Sequence, residues 1–173
     1  MRAVLVLVLG GARSGKSRFA EGLVAASGLE PVYIATAEAG DAEMTERIAH
    51  HRARRGGQWR TVEVPLALEA ALEAEAGEGR AVLVDCLTLW LSNLLHAGAD
   101  LESRAASICG TARRVPGLRL LVSNEVGLGL VPETPLGRKF RDAQGRLNQA
   151  VAAAADRVVF VAAGLPLNLK GTA

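Results

Sequence analysis

The sequence predicts a doubly wound α/β fold of the P-loop type, a mostly parallel sheet with helices on both faces, and three observations carry that reading. Short apolar runs alternate with segments of helical periodicity. The composition is 50% apolar but only 3% aromatic, which suits strands buried on both faces better than a β-sandwich. The first apolar run is followed by Gly10, Gly11, Ala12, Arg13, Ser14, Gly15, Lys16 and Ser17, which match the phosphate-binding loop pattern G-x-x-x-x-G-K-S/T.

Taken in order, residues 4–9 form the first strand, and a helix opens at Ser17 after the glycine-rich turn. Further strands are expected at 31–35, 81–84, 118–122 and 157–161, where Val, Ile, Leu and Ala dominate. The segment 67–79, rich in Ala, Leu and Glu, reads as a surface helix ending at Gly77 or Gly79, and 87–95 reads as another. Near the C-terminus, Phe140, Ala143, Leu147, Ala150 and Ala154 fall on one apolar helical stripe, with Arg138, Arg141, Gly145 and Asn148 facing away. A length of 173 residues fits one domain over 1–173.

Charge and cysteines narrow the function class. The net charge of +2, without basic residues interleaved with aromatics, gives no nucleic-acid signature. The N-terminal apolar stretch, about seven residues long, is too short for a membrane span and has no cleavage site of the signal-peptide kind. Cys86 and Cys109 lack metal-ligand spacing and fit reduced thiols in a cytoplasmic protein.

The phosphate-loop residues carry the clearest chemistry. Gly10 and Gly15 allow a tight turn around phosphate oxygens, Lys16 supplies a cation for the β and γ phosphates, and Ser17 offers a hydroxyl to Mg²⁺. A second oxygen ligand is expected at the end of a neighbouring strand, and Asp85 stands at such an end; the competing reading makes it the N-cap of the following helix.

On a helix over 41–55, Glu43, Arg47, His50 and Arg54 share one face, whereas Met44, Ile48 and His51 share another. Guanidinium groups beside His50 disfavour its imidazolium form and neutralise a phosphate under attack, so His50 reads either as a nucleophile toward phosphorus or as part of a solvated charged face. Gly127 and Gly129, in the segment 123–132, suggest a loop passing close to a ligand or a neighbouring subunit, or a simple connection.

Taken together, several motifs are similar to those of the bifunctional adenosylcobinamide kinase and adenosylcobinamide-phosphate guanylyltransferase family of cobalamin biosynthesis. The resemblance rests on the phosphate loop, the runs at 33–37, 47–52, 59–63 and 85–88, the Asn124-Glu125-Val126-Gly127 run, and the segment 140–149. It covers nearly the whole chain and implies a RecA-like P-loop fold. It also implies two reactions: phosphorylation of adenosylcobinamide by ATP or GTP, then transfer of GMP from GTP to the adenosylcobinamide phosphate, giving adenosylcobinamide-GDP and pyrophosphate.

By the same resemblance, GMP is carried on His50, and Lys16 serves the phosphoryl step with Mg²⁺ held at Ser17 and Asp85. Thr36, Ala37, Glu38, His51, Arg52, Ala53, Arg54, Glu63 and Asp85 would line the guanine nucleotide site. Glu63 is then an acceptor for guanine N–H groups, although the residue on its own reads rather as a surface strand position. Read from the helix alone, Arg141, Arg146 and Asn148 contact either the substrate phosphate or another subunit, and the resemblance implies a homotrimer.

Three other classes compete. A regulatory GTPase would carry an Asn-Lys-x-Asp guanine motif, which is absent. A P-loop small-molecule kinase would form no covalent GMP adduct, and a binding module would show no turnover.

Overall fold

The computed structural model describes residues 3–38 and 57–171. Its strands are β1 (Val4–Gly10), β2 (Glu30–Ala35), β3 (Arg60–Glu63), β4 (Arg80–Asp85), β5 (Leu118–Asn124), β6 (Arg157–Ala162) and β7 (Leu165–Lys170). Between them run α1 (Lys16–Ser27), α2 (Leu68–Glu75), α3 (Leu87–His96), α4 (Leu101–Arg114) and α5 (Pro135–Ala154). The strands form one seven-stranded sheet in the order β3-β2-β4-β5-β1-β6-β7. All pairings are parallel except β6 with β7.

The period-2 alternation of the strands sorts the core into two layers. Val6, Val8, Tyr33, Leu83, Leu120, Val122, Val159 and Val161 pack toward Ala20 and Val24 of α1. Leu5, Leu7, Ile34, Val84, Leu121 and Val158 pack toward Leu68, Trp90, Ile108 and Leu147 on α2 to α5. Both faces are thus covered, as the near-continuous apolar strands demand.

The helix starts follow local chemistry. Asp100 caps α4 by accepting from the backbone N–H of Glu102 and Ser103 at 3.1 and 3.2 Å. Thr134 does the same for α5 through Gly137, with proline in the first turn.

The expected strands at 4–9, 31–35, 81–84, 118–122 and 157–161 all form, while β3 and β7 are additions that the apolar runs do not announce. The helix in 67–79 ends at Glu75, before either glycine, and buries Leu68 and Leu72 completely rather than lying wholly on the surface. In α5 the buried positions are Ala143, Gln144, Leu147, Asn148 and Val151. Ala150 is exposed and Asn148 points inward, opposite to the simple apolar reading. The inward turn has a physical cause: the Asn148 side chain accepts from the Ser123 hydroxyl at 2.7 Å and donates to the Asn124 carbonyl at 3.1 Å.

Candidate active site at the carboxyl edge of the sheet

The phosphate loop leaves β1 at Gly10 and enters α1 at Lys16. A Cβ on Gly10 would lie 2.4 Å from Ser14 Oγ and 2.5 Å from the Val161 carbonyl, so the close approach of these segments requires glycine. Arg13 takes a left-handed φ of 55° and Gly15 a φ of 94°, which wraps the backbone tightly. Lys16 is largely buried and donates from Nζ to the Gly11 carbonyl at 3.1 Å, so the ammonium curls back over the loop. Gly11, Ser14 and Ser17 are partly exposed, and Ala12 and Arg13 lie in solvent.

A brace for this loop comes from the far end of the chain. The turn at Ala163 and Gly164, both with positive φ, joins β6 to β7, and the Gly164 N–H donates to the Ser14 carbonyl at 2.8 Å. A Cβ on Gly15 would come within 3.2 Å of Gly164 Cα. Gly164 is therefore a site-shaping residue that the motif reading missed. The available signal was a two-residue turn between two strand-like segments, muted because Ala163 occupies a position where Asn or Gly is usual.

Asp85 ends β4, but β5 lies between β4 and β1, so the acidic residue sits one strand further from the loop than a neighbouring-strand reading expects. The N-cap of α3 is Cys86, not Asp85. Instead the Tyr33 hydroxyl donates to Asp85 Oδ2 at 3.1 Å, and Tyr33 in turn meets Trp59 edge-on at 6.2 Å. The Asp85–Cys86 peptide is cis. Thr36, fully buried, clasps this junction by donating to the Cys86 carbonyl at 2.7 Å and accepting from its N–H at 2.9 Å. Its hydroxyl thus faces the protein, while Ala37 is half-buried and Glu38 exposed. Asn93 of α3 extends the clasp, donating to the carbonyls of Thr36 and Pro65. Burial pushes the Cys86 thiol up to about 11, with the Asp85 charge adding to the effect, so Cys86 is an unreactive thiol and not a nucleophile.

The strand registers assemble the site. Gly10 pairs with Asn124, and Glu63, Ala35, Asp85 and Val122 lie in one row across β3, β2, β4 and β5. Side chains in register share a face, so Glu63, Asp85 and Asn124 all project on the α1 side, the side that carries the phosphate loop. Glu63 is exposed there, two strands or about 10 Å along the row from Asp85. Ligands of open α/β sheets bind outside the carboxyl ends of the strands, which is where these residues gather. His50, His51, Arg52, Ala53 and Arg54 lie outside the described residues.

Ser17 and Asp85 offer a hydroxyl and a carboxylate, hard oxygen donors suited to Mg²⁺. Among the described residues no cluster of three or more acidic, histidine or cysteine side chains forms a closed metal cage. A donor set of that kind fits an ion that takes its remaining ligands from phosphates and water.

The model of the family described as cobinamide kinase / cobinamide phosphate guanyltransferase, CobU, matches residues 6–169. The chain belongs to that family. A relative from Pseudomonas aeruginosa, bifunctional adenosylcobalamin biosynthesis protein CobP, is 56% identical and aligns over 95% of this chain and 96% of its own. The CobU proteins of Escherichia coli and Salmonella typhimurium are 41% and 39% identical, over 96% of this chain and the whole of theirs.

Among solved structures, the flagellar accessory protein FlaH of Methanocaldococcus jannaschii has a TM-score of 0.57 at 13% identity, covering 99% of this chain and 80% of that one. The ATPase domain of G40P reaches 0.50 at 13% identity over 92% and 69%. At such identities these neighbours speak for the fold alone, and that fold is RecA-like.

Proposed function

We propose that this CobU-family chain, acting as one P-loop domain over 1–173, is a bifunctional enzyme of adenosylcobalamin biosynthesis. In its first reaction the aminopropanol hydroxyl of adenosylcobinamide attacks the γ phosphorus of ATP or GTP. A new P–O bond forms as the bond to the β phosphate breaks, and the nucleoside diphosphate leaves. In the second, His50 attacks the α phosphorus of GTP, forming a P–N bond and releasing pyrophosphate. The phosphate of adenosylcobinamide phosphate then displaces the histidine and gives adenosylcobinamide-GDP.

The observation that carries the reading is the convergence of a braced phosphate loop, Asp85 and Glu63 on one face of one sheet edge, in a chain that belongs to this family. Phosphoryl transfer asks mainly for positioning and charge neutralisation. Lys16 and the loop N–H groups supply the cationic cradle, with the α1 N-terminus behind them. Mg²⁺, held by Ser17 and Asp85, would neutralise charge on the phosphates. Tyr33 and Thr36 hold the Asp85 carboxylate and its backbone in place. Glu63, exposed on the same row as Asp85, would accept from guanine N–H groups.

Self-association as a homotrimer is supported by the apolar surface left open: Leu165, Leu167 and Leu169 of edge strand β7 are 72%, 60% and 57% exposed. The free thiols Cys86 and Cys109 are in keeping with a reducing cytoplasm. No described helix is long and apolar enough to cross a membrane.

The test is incubation with Mg²⁺ and α-labelled GTP, followed by intact mass and label retention after acid and alkali. An acid-labile, alkali-stable GMP adduct, retained in His51→Ala and lost in His50→Ala, is expected. Folded, nucleotide-binding protein without an adduct would reduce the reading to a kinase.

A further inference from the structure

We infer that Asn124 is a further catalytic residue of the phosphoryl-transfer step, its carboxamide contacting the γ phosphate and the hydroxyl that attacks it. The inference rests on the kinase reading above.

Asn124 is the last residue of β5, the strand that separates the phosphate-loop strand from the Asp85 strand. It pairs in register with Gly10, the first residue of the loop, and the next N–H, of Glu125, donates to the Gly10 carbonyl at 3.1 Å. Alternation along β5 puts Val122 in the layer facing α1, and Asn124 therefore projects on that side, between the loop and Asp85. This strand end therefore stands between the phosphate loop and Asp85.

The backbone of Asn124 is fixed from both flanking helices. Its N–H donates to Thr88 Oγ1 of α3 at 2.8 Å, and its carbonyl accepts from Asn148 Nδ2 of α5. Behind it, on the opposite face, Ser123 donates to Asn148 and accepts from Gln144 Nε2 at 2.9 Å. Four polar side chains thus brace one strand end in the interior, an arrangement of many bonds for no gain in apolar packing.

The side chain so positioned has its own Oδ1 buried with no hydrogen-bond partner among the described residues. A buried acceptor left unpaired costs stability unless a donor arrives. The attacking hydroxyl is such a donor, and the amide N–H₂ matches a phosphate oxygen. Asn cannot take up the proton, so its work is to align the hydroxyl and hold the charge that develops on the phosphoryl oxygens.

Two variants separate this role from packing. Purified Asn124→Ala and Asn124→Asp are assayed for phosphoryl transfer from ATP to adenosylcobinamide, for GMP adduct formation from GTP, and for thermal midpoint. The expected result for Asn124→Ala is a kcat for phosphoryl transfer about 10²-fold lower. Its KM for ATP and its adduct rate stay within about threefold, since the electrostatic contribution is made chiefly in the transition state. Asn124→Asp, nearly isosteric, is expected to lose more kcat than Asn124→Ala because it sets a negative charge against the phosphates. A kcat within twofold of native in both variants overturns the inference. So does the reverse ranking with both activities and the midpoint falling together, the pattern of a packing residue. Native protein that forms the adduct yet never phosphorylates adenosylcobinamide overturns the kinase reading itself.

Discussion

The two faces of the sheet are built from the same strands yet do different work. On the α1 side, Gly10, Glu63, Asp85 and Asn124 gather at one edge, backed by a single described helix and by loops that lean on one another. On the other side four helices bury Leu68, Trp90, Ile108 and Leu147 completely. Among the polar groups there, Trp90 Nε1 donates to the Leu66 carbonyl, and Arg104 reaches both that carbonyl and Glu69. One face is thus a packed frame of four helices, and the other carries the polar edge at which Asn124 Oδ1 is buried with no hydrogen-bond partner among the described residues.

One substitution on each face separates their roles. Lys16→Ala is expected to lower phosphoryl transfer about 10³-fold, with a thermal midpoint near native, because it removes a cation from the reacting phosphates. Trp90→Ala is expected to cost about 3 to 5 kcal/mol in urea unfolding while the folded fraction retains its KM for ATP. If Lys16→Ala lost as much stability as Trp90→Ala, the two faces would not divide the work as described.

A smaller effect sharpens the junction between them. The Cys86 thiol, pushed up to about 11 from 9.0, stays protonated in the folded chain after the unfolded chain has ionised. The unfolded state then binds fewer protons, so this contribution is complete below pH 9 and is lost as pH rises toward 11, by about 2 to 3 kcal/mol. Urea midpoints of native and Cys86→Ala protein between pH 8 and 11 read it: the native curve falls more steeply, and parallel curves would show that the buried thiol contributes nothing.

The phosphate loop was legible because its chemistry requires particular residues at fixed spacing after an apolar strand. The central strands were legible because burial on both faces writes an unbroken apolar run. β3 was not, being four residues of which only Val62 is even partly buried. β7 was not either: as an edge strand exposed along its length it tolerates Pro166, and its Leu residues join no core cluster among the described residues. Asn148 was misassigned because periodicity sends polar residues outward, whereas its amide is bonded to a strand end that only the fold brings near. The same applies to Gly164, whose role depends on Ser14.

Nucleotide bound at the α1-side edge of this sheet is detected by hydrogen exchange with and without Mg²⁺-ATP. Slowed exchange is expected in peptides covering 10–17, 85–90 and 123–126, with 68–75 and 101–114 unchanged. Protection centred on the four-helix face, or none at 10–17, would contradict it.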